Sequence, residues 1–212
     1  LGHESKGIGI DRRARRTLPM PANPPNQTGR HEPAPPPCRL ERFQPAWALA
    51  VARWIPTDQE LFWLAPATPP PLTPEKVIGW SRADRIAYVL TNPHHPEPLG
   101  YAELGPMTDN PRHMWLGHFV IAPDHRGRKL GRTFLALLLD EAVVHHHAAK
   151  MFLVVFPANL PAMRCYLREG FAIAGHEHRQ FPTSIPRHRL VRMSLDLTTW
   201  TARRPGPGRG DA

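Results

Sequence analysis

The stretch "IAPDHRGRKLGRTFLALLLDEA" constrains this chain more than any other. An apolar strand pattern ends at Ala122. A helical pattern follows, with Leu130, Phe134, Leu137, Leu138 and Glu141/Ala142 on one apolar face. Between the two, Arg126, Arg128, Lys129 and Arg132 crowd around Gly127 and Gly131. A helix N-terminus already presents unpaired N–H groups and a partial positive charge, so added cations are unfavourable there unless an anion shares the site. Gly131 costs about 1 kcal/mol of helix propensity relative to Ala, which close approach of a phosphate to the backbone would offset. "GRKLGRT" lacks the Lys-Ser/Thr ending of a nucleotide-triphosphate loop, and the dinucleotide pattern G-x-G-x-x-G is missing. A solvated basic helix start with a packing glycine is the plainer reading of the same residues.

A second stretch, "VFPANLPAMRCYLREGF", overlaps the end of "MFLVVF", an apolar run of buried-strand length. Asn159, Ala162/Met163 and Tyr166 share one helical stripe; Leu160, Met163, Leu167 and Phe171 form an adjacent apolar stripe expected to face the core. Gly170 is a natural residue to end the helix. The polar–small–aromatic stripe predicts a helix with one face on a cleft, although a surface Asn and an amphipathic Tyr would give the same pattern.

The rest of the chain supplies a frame. "CRLERF" alternates like a short strand, and "PAWALAVARWI", "TDQELFWLA" and "LTPEKVIGW" read as helices, the last two capped by Thr57 and Thr73. "RIAYVLTN", "LGYAELGPM" and "MWLGHFVIA" have strand character, with turns at "NPHHPEP" and "TDNPRH". "FAIAGHEHRQF" and "HRLVRMSLDL" read as two strands joined by a Pro-containing loop. Residues 1–38 are expected to be disordered, since "PMPANPPNQTGRHEPAPPP" has no apolar period. The end from 201 reads as a flexible basic tail, leaving one domain over 39–200.

Net charge is +9, of which +4 lies in residues 1–39 and +2 in residues 201–212. A nucleic-acid-binding face on the domain is therefore not required. Cys38 and Cys165 are too isolated for a disulfide framework or a zinc cluster. "HHH" at 145–147 ends a helix, where cations suit the dipole, and successive residues cannot converge on a metal. With no long apolar run or signal-like start, a cytoplasmic location is expected. The first residue is Leu, and Met20 is a conceivable start.

Together the two central stretches resemble the motifs of the GCN5-related N-acetyltransferase (GNAT) family. Arg126 and Gly131 fill the ends of its [QR]-x-x-G-x-[GA] motif, and Asn159, Ala162, Tyr166, Gly170 and Phe171 complete N-x-x-A-x-x-x-Y-x-x-x-G-F. The family's middle glycine is Lys129 here. The resemblance implies an α/β (α+β) fold: one domain with a mixed, mostly antiparallel sheet, a splayed parallel strand pair and flanking helices.

It also implies acetyl-CoA as cosubstrate and no metal. The backbone near Phe119 and Ile121 would pair with the pantetheine arm. The turn of Arg126, Gly127, Arg128, Lys129, Leu130, Gly131 and Arg132 would hold the pyrophosphate. Asn159 matches the residue that bonds the cofactor arm or the helix start, and Tyr166 the usual proton donor to the leaving thiolate. The base is open between His118, Glu103, a water chain and an amine that arrives already deprotonated. Trp63, or His176 and His178, could border the acceptor, a small-molecule amine or a peptide. A homodimer is conceivable, membrane association is not expected, and the rival function is a non-catalytic acyl-CoA sensor.

Overall fold

The structure, a computed structural model, describes residues 38–81 and 84–202. The segment expected to be disordered therefore lies outside the described residues up to 37, as does the tail from 203.

Seven strands form one sheet in the order β1-β2-β3-β4-β5-β7-β6. They are β1 (Arg39–Arg42), β2 (Ile86–Thr91), β3 (Gly100–Met107), β4 (Asn110–Ile121), β5 (Lys150–Val155), β6 (Ala172–Phe181) and β7 (Ser184–Asp196). Every pairing is antiparallel except β4 with β5. This is the mixed, mostly antiparallel sheet expected.

Among the described residues six α-helices flank it: α1 (Ala48–Arg53), α2 (Asp58–Leu64), α3 (Pro74–Trp80), α4 (Leu130–Val144), α5 (Leu160–Glu169) and α6 (Leu197–Ala202). Thr57 and Thr73 cap α2 and α3 by accepting from the N–H groups of Glu60 and Lys76. The sheet divides two cores. Val51, Val77, Val89, Tyr101 and Val120 pack on the α1–α3 side. Leu90, Leu104, Met114, Phe134, Leu138 and Met151 pack on the α4 side. Val89 and Leu90 are neighbours in β2 yet lie in opposite cores, as the two-residue period of a strand requires. Full burial of side chains such as Phe134 and Leu138 contributes about 1.5–3 kcal/mol each.

Several sequence expectations shift. Of the apolar stripe expected to face the core, Leu160 and Leu167 are exposed, while Met163 packs against the core and Phe171 is buried together with Tyr166. "NPRH", expected in a turn, begins β4, and α6 follows β7 where no helix was expected. Asp196 starts it by accepting from the N–H groups of Thr198 and Thr199.

Candidate active site

β4 and β5 pair only at His113↔Lys150, Met114↔Met151 and Trp115↔Phe152. Beyond Trp115, β4 stays paired to β3 and β5 to β7, but not to each other. The sheet parts there like a V. A cleft of about 1180 Å³ occupies the opening and extends beneath α2 and α3. Its edge offers strand backbone without a neighbouring strand, which an extended ligand can pair with.

The basic turn stands at the mouth. Gly127 (φ 77°) and Lys129 (φ 63°) both adopt the left-handed conformation. Lys129 is the residue before α4 and gives no side-chain cap. For a side chain with a Cβ this conformation costs roughly 1–2 kcal/mol. Among the described residues, no hydrogen bond reaches the N–H groups of residues 128–131. A Cβ at Gly131 would meet nothing closer than Cys165 Sγ at 3.5 Å, so packing does not require the glycine. Free N–H groups, an uncapped helix start and open space beside Gly127, where a Cβ would meet nothing within 4 Å, fit a pyrophosphate.

The four cations separate into two kinds. Arg126 is held by the protein: Nε donates to Ile121 O (3.0 Å), Nη2 to Trp54 O (3.2 Å) and Nη1 to Glu60 Oε1 (2.9 Å). Arg132 Nε donates to Glu169 Oε2 at 3.1 Å. Arg128 and Lys129 are exposed and have no ion-pair partner among the described residues. Ile121, expected to offer its backbone to a cofactor arm, already gives its carbonyl to Arg126. Phe119 lines the cleft with its ring stacked on Phe134 and tilted against Tyr166. Leu130 is half-buried and packs against the α4-side core.

α5 brings Asn159 and Tyr166 to the opposite wall. Asn159 Oδ1 caps the helix, accepting from Ala162 N at 3.3 Å. The helix ends at Gly170 (φ 104°), where Phe171 N donates back to Tyr166 O. Tyr166 is 6% exposed. Burial, with a smaller contribution from Cys165, pushes its phenol well above the usual tyrosine range.

His118 and Glu103 are brought together, on β4 and β3. Tyr101 pairs with Val120 but Glu103 with Gly117, so β4 carries an extra residue in a bulge. His118, at φ 45°, is within it. Its ring stacks on Trp80 at 4.5 Å and lines the cleft. Nδ1 stands 3.0 Å from Glu103 Oε1, out of line for a hydrogen bond. Glu103 does not line the cleft. It is 1% exposed behind His118, accepting from the Tyr101 hydroxyl at 2.8 Å, with Arg85 Nη1 3.7 Å from its other oxygen. The expectation that it faces the cleft is corrected: strand alternation puts it on the same face as Tyr101, under α3.

Trp63 lines the cleft, but His176 and His178 do not. β6 turns the alternate residues Arg179 and Phe181 inward. Its turn into β7 reaches across to the α2–α3 loop, where Thr183 Oγ1 donates to Pro66 O. Arg85, Trp115 and Arg179 were missed as cleft residues. Only the alternation of β4 and β6 pointed to Trp115 and Arg179, and nothing in the sequence set its phase; Arg85, just before β2, carried no such signal.

The Acetyltransferase (GNAT) family model matches residues 48–171. Residues of this chain are 31% identical over 62 positions to a probable spermine N(1)-acetyltransferase of Bacillus subtilis subsp. natto and to a spermine/spermidine N(1)-acetyltransferase of Bacillus subtilis strain 168. Those matches cover 29% of this chain and 41% of each relative, so the chain spans less than half the length of these relatives. In fold it is similar to the spermidine N-acetyltransferase of Vibrio cholerae in complex with CoA and spermine, at TM-score 0.64 and 17% identity, over 77% of this chain and 98% of that one. It is also similar to the ribosomal-protein-S18-alanine N-acetyltransferase of Escherichia coli, at TM-score 0.55 and 17% identity, over 82% and 99% of the two chains. With the family model matched across more than half its length, the chain belongs to the acetyltransferase (GNAT) family.

Proposed function

We propose that this protein is an acetyl-CoA-dependent N-acetyltransferase acting on a small-molecule amine. The observation that carries the reading is the parting of β4 from β5 beyond Trp115, with the uncapped start of α4 at its mouth. A thioester with an extended, hydrogen-bonding arm and a pyrophosphate suits those two features in turn. Family membership supports acetyl transfer as the chemistry.

Acetyl-CoA would supply the activated acetyl group as a thioester. The N–H groups from Arg128 to Gly131 would hold its pyrophosphate, with Arg128 and Lys129 adding charge from outside. Unpaired backbone of β4 around Phe119 would orient its arm. Asn159 fixes the start of α5 and thereby the position of Tyr166. As the new N–C bond forms and the C–S bond breaks, the amine must lose a proton and the sulfur must gain one.

His118 is the ring that reaches the cleft and takes the amine proton, directly or through water. Glu103 acts through it, as a positioning residue. Tyr166 gives a hydrogen bond to the departing sulfur. Its raised pKa keeps the phenol protonated at neutral pH and makes it a weak acid, which assists sulfur only once negative charge has developed there.

Calorimetric titration of acetyl-CoA into the full chain tests the reading, with ATP for comparison. Micromolar binding of acetyl-CoA without binding of ATP is expected, followed by thiol release when amines are added. Absence of acetyl-CoA binding would overturn it. Binding with no release across a broad amine panel would favour the sensor function.

A further inference from the structure

Four cations and two carboxylates line the cleft: Lys76, Arg85, Arg126 and Arg179 against Glu60 and Asp84. Glu60 is taken by Arg126. What remains is a surplus of positive charge on the side away from the α4 mouth. This is the wrong sign for the polycationic ligands named for the relatives.

The cations are also placed. Arg85 crosses β3 and β4 over two glycines. A Cβ at Gly105 would stand 2.9 Å from Arg85 Cγ, and one at Gly117 would stand 3.2 Å from Arg85 Nη1. The same point above Gly117 lies 3.7 Å from Trp115 Nε1. That indole N–H has no hydrogen-bond partner among the described residues. The Arg179 guanidinium sits over the indole, 5.6 Å from the ring centre. Two guanidinium groups, from different ends of the sheet, thus meet around one tryptophan.

Each is held from behind by a carboxylate outside the cleft lining. Buried Glu103 lies 3.7 Å from Arg85 Nη1, and Glu177 accepts from Arg179 Nε at 2.7 Å. Glu177 is shared with Arg192 at 3.5 Å, so it does not cancel Arg179 alone. Asp84 is the counter-charge, one residue from Arg85, and exposed. A guanidinium anchored through part of its fork keeps further N–H donors for a second, planar acceptor.

The geometry points to an anion subsite in the acceptor half of the cleft, formed by Arg85, Trp115 and Arg179, so that the acceptor is an amine carrying its own acidic group, a carboxylate or phosphate, and not a polyamine. The inference rests on the acetyltransferase reading for the donor half, and adds the acceptor class. His118 lines the same cleft, directly after Gly117 and three residues beyond Trp115, so an acid held at Trp115 leaves the amine of a short molecule near the ring.

The test compares acceptors that differ only in the acidic group, using the full chain and acetyl-CoA. Phenylalanine against phenethylamine probes carboxylate, O-phosphoethanolamine against ethanolamine probes phosphate, and spermine and spermidine are run beside them. At least one acidic member should exceed its partner tenfold or more in kcat/KM and exceed both polyamines; which pair responds identifies the acid. Arg179→Met should cut that ratio about tenfold, mainly through KM, and Arg85→Met should do the same if it folds. Arg39→Met, a charge removed from β1 outside the cleft, should leave the ratio unchanged. Equal or better use of the neutral-side-chain amines or of spermine overturns the proposal. So does an Arg39→Met effect as large as that of Arg179→Met. If no acceptor turns over, calorimetry on the CoA-loaded protein decides: spermine binding as tightly as the acidic amines overturns it. Acetyl-CoA binding, measured separately, tells failure of this subsite from failure of the donor reading.

Discussion

His118 Nδ1 lies 3.0 Å from Glu103 Oε1, across a bulge that gives β4 one more residue than β3. The bulge turns the histidine ring into the cleft, and the carboxylate stays buried beneath it with the Tyr101 hydroxyl. Glu103→Gln keeps the shape and removes the charge. We expect kcat to fall about 10-fold or more, with little change in acetyl-CoA affinity. A kcat equal to that of the wild type would remove Glu103 from the mechanism.

Tyr166→Phe deletes a hydroxyl from a buried ring that already packs against Phe119 and Phe171. The fold should tolerate it. The expected loss is about 10²-fold in kcat, within the range of positioned acid catalysis, with KM for acetyl-CoA nearly unchanged. Steady-state thiol release measures both, and an unaltered kcat would rule out the proton-donor role.

All three tyrosines of the chain are held above the usual range. Burial is the main cause at each. Hydrogen bonding to Glu141 adds to it at Tyr88, and the charge of Glu103 at Tyr101. Unfolded phenols ionise at about pH 10. Above that pH the folded state keeps protons that the unfolded state releases, so stability falls as pH rises, and is fully present below it. Absorbance at 295 nm should show little tyrosinate until the protein unfolds. Ionisation at pH 10 in protein that is still folded by circular dichroism contradicts this.

Lys129 takes a left-handed conformation at the position where the family motif has glycine. Lys129→Gly relieves that strain, offset in part by the greater freedom of the unfolded chain. A gain of about 0.5–1 kcal/mol in urea unfolding is expected. Acetyl-CoA affinity should weaken only a few-fold, because the N–H groups remain and one exposed charge is lost. Calorimetry of the same variant reads this, and tighter binding would mean that the lysine crowds the site.

Arg126 links the end of β4 to Trp54 and Glu60. Its removal in Arg126→Met should cost about 1.5–3 kcal/mol of stability, the range for hydrogen bonds to a charged group. An effect on acetyl-CoA affinity with stability intact would instead assign the side chain to the pyrophosphate.

Local pattern made much of this molecule readable. Thr57 and Thr73 as caps, Gly170 as the end of α5, and the strand–turn–helix around residues 114–144 depend on neighbours a few positions away, so the chain carries them openly. So did the parallel crossover, once two central motifs stood one helix and one strand apart. Other features depend on contacts between distant residues. Arg126 looked like a ligand for phosphate, but its partner Glu60 is 66 positions away. Glu103 and His118 look equivalent as strand residues, and only the bulge puts one in the cleft and the other behind it. Leu160 and Leu167 look like core, but α5 turns Tyr166 inward because the parted sheet leaves space there for an aromatic ring. The amino-acid order by itself determined the elements, their caps and the basic turn, which arise from short-range periodicity and backbone preference. Tertiary structure decided which face of each strand meets the cleft, and which arginines are already held by carboxylates, because strand phase and ion pairing are set by packing across the sheet.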